Sequence, residues 1–416
     1  MLRPALFSLV TLLVLLSGCT GTRIFPAPAK QQSDLATLVG MPEDARIRFW
    51  GDLDSEVAER QLRRIGEQIS ARIAAEGEVP NNGRYDVLAL SGGGADGAFG
   101  AGLLNGWSDM ESRRKTPARP EFSLVTGISV GALIAPFAFL GSGWDDELER
   151  LFTTTSTADL ITYNFFNALF GYSLGLTDIQ RLEDTLAKLV DDNMVKRIAE
   201  EHRKGRRLWI GTTYLDAERP VIWDIGEIAV SGYAYKPRLI QKVLLASSAI
   251  PGAFPPVEFA IEIGGRVFSE MHVDGSVTRQ LFAFPGNVPL GDLVRKEVPS
   301  MEPGTIYLVR NSKLTPDFMP VEPSLRGILS RSLFTLTNAL AIGDVANIEK
   351  RAEAEGWRLL SSAVPPEFSF PSDDFFDPRY MNALFEVGYD RAVDGIAWEI
   401  LHNPEGTPRP LLAEAG

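Results

Sequence analysis

The chain has one cysteine and three histidines among its 416 residues. A lone Cys19 excludes a disulfide within the chain and any cysteine-built metal site. A chain otherwise free of thiols suits an oxidising compartment. The shortage of histidine limits an imidazole base to His202, His272 or His402. Positive charge is also scarce: 41 Lys and Arg face 54 Asp and Glu, for a net charge of −13. Nucleic-acid binding needs a basic footprint, which this composition does not supply. The same deficit argues against broad electrostatic attachment to anionic lipid. There is no internal repeat, no low-complexity tract and no Gly-Lys-Ser/Thr phosphate loop. Nor is there an acidic loop constellation for calcium, so no metal and no cofactor is implied.

A further shortage is of apolar runs long enough to span a bilayer. The N-terminal run, residues 5–16 after Arg3, is too short for a mature helix and the right length for a signal-peptide core. It ends in Leu16-Ser17-Gly18-Cys19, which resembles the lipobox of bacterial lipoproteins. That resemblance implies cleavage before Cys19 and lipid attachment to its sulfur. Each buried methylene contributes about 0.8 kcal/mol, so several acyl chains would anchor the protein stably. The expected location is the bacterial cell envelope, tethered to a membrane and facing the periplasm.

After a signal peptide over 1–18, residues 19–46 are polar, carry Pro26, Pro28 and Pro42, and read as a tether. An N-terminal helical segment over 47–82 follows, with Leu62, Ile65, Ile69 and Ile73 at helical spacing. The main domain is expected over 83–402, and a C-terminal tail over 403–416. Within it, strands are expected at 207–213, 221–224, 259–263, 267–273 and 305–309. Helices are expected at 177–190, 193–204, 237–249, 325–356 and 379–402. Residues 151–176 are unusually aromatic and read either as a cap over the site or as core filling.

What is present in abundance is glycine at two turns. Tyr85-Asp86-Val87-Leu88-Ala89-Leu90 leads into Ser91-Gly92-Gly93-Gly94-Ala95-Asp96-Gly97, and Phe122-Ser123-Leu124-Val125-Thr126 leads into Gly127-Ile128-Ser129-Val130-Gly131. In each, an apolar run of the kind that forms a buried parallel strand ends in glycine and opens onto a helix. Repeated strand–turn–helix units indicate an α/β fold with a mainly parallel sheet. The second turn has the G-x-S-x-G form, which lifts a serine hydroxyl out of the sheet at a helix N-terminus. Ser129 is therefore the candidate nucleophile.

A serine needs a base. His202 sits among charged residues and reads as a solvated helix end; His402 lies near the C-terminus. His272 lies two residues before Asp274 and so shares a strand face with it. Asp274 itself is the other possibility, because the following Gly275 permits a tight turn that presents its carboxylate. An aspartate at its usual value of about 3.9 is a weak base. Apolar neighbours such as Phe268, Met271, Val273 and Val277 would raise it by desolvation. These residues alone leave the choice open. Backbone N–H groups of Gly92, Gly93 and Gly94 would form an oxyanion hole. Gly92-x-Gly94-x-x-Gly97 also satisfies a dinucleotide-binding fingerprint. That reading wants an acidic residue at the end of the next strand, where this chain has Gly127-Ile128-Ser129.

The glycine loop, the G-x-S-x-G turn, the stretch from Ala246-Ser247-Ser248-Ala249-Ile250-Pro251 to Phe254-Pro255-Pro256, and Asp274-Gly275 occur in the order found in patatin-like phospholipases, which the chain resembles. The resemblance covers about residues 85–277. It implies a three-layer α/β/α sandwich and a Ser–Asp dyad without catalytic histidine. It assigns Ser129 as nucleophile, Asp274 as base and Gly92, Gly93 and Gly94 as the oxyanion loop. The implied activity is hydrolysis of lipid carboxylic esters, phospholipid or lysophospholipid, at a membrane. The alternative is a non-catalytic lipid-binding or scaffold lipoprotein of the envelope. Two departures stand out: Asp96 lies where the family often has Lys or Arg, and Ser276 follows Asp274-Gly275.

Overall fold

The computed structural model describes residues 23–32, 35–42, 47–52, 56–114, 119–154, 156, 162–163, 177–178, 180–284, 286, 288–372 and 376–404. Cys19, the signal-peptide reading, the tail beyond 404 and most of the aromatic stretch 151–176 lie outside them.

Thirteen strands are described: β1 (Thr37–Leu38), β2 (Arg48–Trp50), β3 (Arg84–Leu90), β4 (Leu124–Ile128), β5 (Thr162–Tyr163), β6 (Thr177–Asp178), β7 (Arg207–Tyr214), β8 (Arg219–Asp224), β9 (Val257–Ile263), β10 (Arg266–Asp274), β11 (Glu302–Arg310), β12 (Arg358–Ala363) and β13 (Glu399–His402). Eleven form one sheet in the order β1-β9-β10-β7-β4-β3-β11-β12-β13, with β8 on β7 and β2 on β8. The five central strands β7, β4, β3, β11 and β12 are mutually parallel. The flanks are antiparallel, so the sheet is more mixed than the strand–turn–helix units foretell.

The helices are α1 (Glu56–Glu76), α2 (Gly97–Arg114), α3 (Val130–Leu140), α4 (Asp145–Thr153), α5 (Gln180–Leu189), α6 (Asp192–Arg203), α7 (Ile225–Val230), α8 (Lys236–Ser247), α9 (Leu290–Glu297), α10 (Leu325–Glu355) and α11 (Pro378–Val393). One core joins α2, α3, α6, α8 and α11 to one face of the sheet. A second joins α1, α9 and the C-terminal half of α10 to the other face. The result is the three-layer α/β/α sandwich. The central strands are buried on both faces, which is why β3 and β4 read as continuous apolar runs instead of alternating ones.

Several expectations change: the segment expected to be helical over 47–82 opens with strand β2, and the helix expected over 177–190 runs from Gln180 to Leu189, after β6. The described part of the stretch read as a tether lies on the sheet: β1 pairs with β9, the Ser269 N–H donates to the Pro26 carbonyl at 3.0 Å, and Arg23 pairs with Asp216. The helix expected over 379–402 stops at Val393, because Gly395 adopts a φ of 74° and turns the chain into β13. Strand β12 was invisible because Ser361 and Ser362 are buried in it where an apolar pattern would have apolar residues.

Helices α2 and α11 approach at backbone distance. A Cβ on Gly102 would lie 1.9 Å from the Phe385 carbonyl oxygen, and one on Gly388 would lie 2.2 Å from that of Phe99. Gly102→Val is therefore expected to destabilise the fold by about 2–3 kcal/mol, as overpacking does, in a urea titration. An unchanged midpoint would contradict this contact.

Candidate active site

Strand β7 has two edges and three neighbours. β8 pairs with Trp209–Tyr214 and occupies one edge. The other edge is shared: β4 pairs with Arg207 to Gly211, and β10 takes over from Thr212 to Tyr214. Because β4 runs parallel to β7 and β10 antiparallel, their C-terminal ends abut, with Ile128 opposite Gly211 and Asp274 opposite Thr212. Ser129 is the next residue after β4, and Asp274 is the last of β10. The sheet itself brings them together.

Ser129 adopts φ 55° and ψ −127°, a conformation that costs a non-glycine residue on the order of 1–3 kcal/mol. Its surroundings hold it there. A Cβ on Gly127 would lie 2.5 Å from the Gly131 carbonyl oxygen, and one on Gly131 would lie 2.4 Å from that of Leu90. The Ser129 N–H donates to Ser247 Oγ at 3.0 Å, and that hydroxyl donates to the Gly211 carbonyl at 2.7 Å. The Asp274 N–H donates to the Ala249 carbonyl at 3.0 Å. The 246–256 motif, known from sequence only by resemblance, thus fixes the backbone of both residues.

The Asp274 carboxyl is buried, and that pushes its pKa up to about 6. The Ser129 hydroxyl leads the groups that pull it down, followed by Ser276. Oδ1 accepts the Ser276 N–H at 2.7 Å. Oδ2 has no hydrogen bond of ordinary geometry among the described residues and is left for a weaker contact. Catalytic hydrogen bonds are often long before substrate binds.

The glycine loop lies against this pair: a Cβ on Gly92 would come within 3.2 Å of Ser129 Cβ. Its three amides are not equivalent. The Gly92 N–H donates to the Gln280 carbonyl at 3.2 Å, which removes it from the donors expected of the loop. The Gly93 and Gly94 N–H groups meet no acceptor among the described residues, and Gly94 lines the cleft described below. Gly94 has φ +60°, and at Gly93 a Cβ would lie 1.7 Å from the Asn311 carbonyl oxygen, so both positions need glycine.

A cation does serve this loop, from a direction the sequence did not reveal. Arg310, the last residue of β11, donates to Gln280 Oε1 at 3.0 Å, Ser91 Oγ at 3.3 Å and the Gly92 carbonyl at 3.4 Å. In a trans peptide, pinning the Gly92 carbonyl turns the Gly93 N–H to the opposite side. Asn311 braces the same turn, donating its N–H to Ser91 Oγ and its Nδ2 to the Ser91 carbonyl, both at 2.9 Å. No local signal marks a strand-end arginine for this role. Asp96 is half-buried, accepts the Tyr380 hydroxyl at 2.5 Å and is pushed up to about 6 by desolvation, with Tyr380, Arg310 and Lys313 pulling the other way.

The histidines are elsewhere. His272 is enclosed by Tyr214, Trp223 and Phe259, with Nδ1 2.9 Å from Thr212 Oγ1 and Nε2 3.3 Å from Glu270 Oε2. Both ring nitrogens are engaged away from Ser129, and burial lowers its pKa. His202 is buried instead of solvated, 3.2 Å from Glu227 Oε1, in a gap left by Gly226. The charged flank Glu200-Glu201 masked the one inward-facing position at that helix end.

Ser129 opens into a cleft of about 850 Å³, counted out to its mouth. Apart from Ser129, Gly94, Thr185 and Ser248 its lining is apolar, with Leu133, Phe137, Leu186, Met194, Leu244 and Met381 along its walls. Of the described residues of the aromatic stretch, Leu151 and Phe152 line the cleft.

Comparisons with known proteins complete the picture. The family described as patatin-like phospholipase matches residues 88–285, from β3 through the glycine loop and elbow to just beyond Asp274. Among curated proteins, none matches the chain. A matching solved structure is the crystal structure of VipD from Legionella pneumophila, with 11% identity, a TM-score of 0.32, and coverage of 77% of this chain and 68% of that one. So remote a likeness carries no weight beside the residues themselves. Residues 88–285 of this chain match the patatin-like phospholipase family, which supports lipid acyl ester hydrolysis as the general class of chemistry.

Proposed function

We propose that the chain is a membrane-tethered serine hydrolase of lipid carboxylic esters working through a Ser129–Asp274 dyad. The observation that carries this reading is a strained serine lining an apolar cleft, beside a buried carboxylate on which its hydroxyl acts and whose Oδ2 has no ordinary hydrogen bond among the described residues. Asp274 takes the Ser129 proton as Oγ attacks the ester carbonyl. The Gly93 and Gly94 N–H groups receive the oxyanion, each such donor contributing about 2.7–4 kcal/mol to the transition state. Collapse of the intermediate expels the alcohol, protonated from Asp274, and leaves an acyl ester on Ser129. Asp274 then takes a proton from water, which attacks that ester and releases a carboxylic acid while Ser129 recovers its hydrogen. The cleft walls accept the acyl chain. The lipobox-like residues 16–19 support attachment of the enzyme to an envelope membrane through Cys19.

The test is a fluorophosphonate probe combined with esterase kinetics. Labelling and turnover are expected in the parent chain, with Ser129→Ala unlabelled and at least about 10³-fold slower. Full activity in Ser129→Ala would reject the assignment. A purified parent that resists the probe and holds stoichiometric lipid would favour the non-catalytic alternative.

Asp274→Asn gives a result with two opposite signs. Activity is expected to fall by at least 10²-fold, on the order of a lost general base. Thermal stability at pH 8 is expected to rise by about 2 °C or more, because an uncharged amide replaces a desolvated carboxylate. A lowered Tm with activity retained would contradict both roles.

The base must be ionised to work, so kcat/KM is expected to fall tenfold per pH unit below an apparent pKa of about 6. The native state holds this proton more tightly than the unfolded chain, whose aspartate titrates near 3.8. Stability from this group therefore declines as pH rises from about 4 to 6, opposite to the activity. A flat rate profile between pH 5 and 8 would contradict Asp274 as base.

A further inference from the structure

Helix α10 runs for 31 residues, and its two halves have different surroundings. Ala341, Val345, Ile348 and Ala352 are buried against the sheet. Asp344 marks where the helix passes the active-site end of the sheet: its Oδ2 accepts the N–H groups of Gln280 at 2.7 Å and Leu281 at 3.3 Å, and the Gln280 carbonyl in turn accepts the Gly92 N–H. From there α10 descends toward β12, which runs parallel to β3 through β11. Residues 325–340 consequently extend up to roughly 24 Å beyond that end, at 1.5 Å per residue.

This extension is apolar and uncovered. Leu325 is 77% exposed, Phe334 63% and Leu336 61%, and in the loop that leads to the helix Phe318 is 95% exposed. Leu325, Leu329, Leu333, Leu336 and Leu340 fall within a stripe of roughly 80° on a helix of 3.6 residues per turn. Phe334 and Ile342, also exposed, lie roughly 140° to either side of its middle. Residues 325–343 contain no carboxylate, and their only charges are Arg326 and Arg331, in a chain that is otherwise acidic. The loop is tied down: Lys313 Nζ pairs with Asp317 Oδ2 at 3.0 Å, and Arg331 donates to the Asp317 carbonyl. Lys313 and Asp317 both act electrostatically on Asp96, which places the base of this arm beside the glycine loop.

We propose that residues 318–342 form a membrane-docking arm that inserts into the outer layer of a lipid bilayer and sets the cleft at its surface. A second copy of the chain would cover the leucine stripe and leave Phe334 and Ile342 in water, whereas lipid covers a helix on all sides. The arm rises from the same end of the sheet at which Ser129 opens, with its base beside the glycine loop. The helical part of the arm, 325–343, carries arginines without carboxylates, which suits this setting because a long cationic side chain can keep its charge at headgroup level with its stem in apolar surroundings. No helix among the described residues is long and apolar enough to cross a membrane, and the arm is proposed to enter one leaflet without spanning the bilayer. The arm would act independently of acyl chains on Cys19. The inference rests on the lipid-hydrolase reading only for the nature of the substrate.

The test uses the chain from Thr20 onward, which keeps every described residue and lacks the acyl-bearing cysteine. It is floated with neutral phosphatidylcholine vesicles beside the triple variant Phe318→Ser/Phe334→Ser/Leu336→Ser. The parent is expected to float. The variant is expected to lose at least tenfold in vesicle binding and in hydrolysis of vesicle lipid, with turnover of a water-soluble butyrate ester and Tm unchanged. Equal flotation of the two would overturn the proposal, as would a parent that stays in the lower fraction. So would a variant that changes only the sedimentation of the protein, since that marks a contact between copies. Flotation without hydrolysis of the soluble ester by the parent would sink the hydrolase reading and leave the arm standing.

Discussion

The whole site depends on two strands sharing one edge of β7. β4 stops after Ile128 because the chain must turn into α3, and β10 fills the vacated edge from the opposite direction. Their ends abut across the Gly211–Thr212 step, where a Cβ on Gly275 would lie 2.6 Å from the Gly211 carbonyl oxygen. No loop has to carry the proposed base to the proposed nucleophile. Both are held at strand ends, the most rigid positions available, and Ser247 ties the elbow to Gly211 with one hydroxyl. Such rigidity is what keeps Ser129 in a conformation that its own backbone disfavours.

Burial does the rest. An aspartate in water is too weak a base for a serine, and a fully solvated serine is too unreactive. Desolvation raises Asp274, and the same dry environment strengthens whatever the glycine-loop amides do for a developing charge. Arg310 extends this logic. It gives the loop a positive charge from behind, where Asp96 occupies the position that a cation often takes in front. The family pattern is departed from in residue type while a positive group still supports the loop.

Much of this was legible in the chain. β3 and β4 announced themselves as apolar runs ending in glycine, and the spacing of Gly127, Ser129 and Gly131 gave the elbow. What stayed hidden was hidden for physical reasons. β12 buries Ser361 and Ser362, so it has no apolar signature. His202 faces inward from a charged helix end that reads as solvated. Which glycine amides are free depends on the Gln280 carbonyl, 188 positions beyond Gly92 in the chain, and no local pattern reports a contact of that span. The roles of Ser247 and Arg310 likewise exist only once distant strands are side by side.

The most direct test is a crystal structure of the chain carrying a phosphonate ester on its nucleophile. The account predicts phosphorus bonded to Ser129 Oγ, with the phosphonyl oxygen about 2.7–3.1 Å from the Gly93 and Gly94 nitrogens. The Asp274 carboxylate would lie beside Oγ and the alkyl group along the apolar cleft. An adduct on another residue, or a phosphonyl oxygen turned to solvent with Asp274 remote from it, would contradict the account.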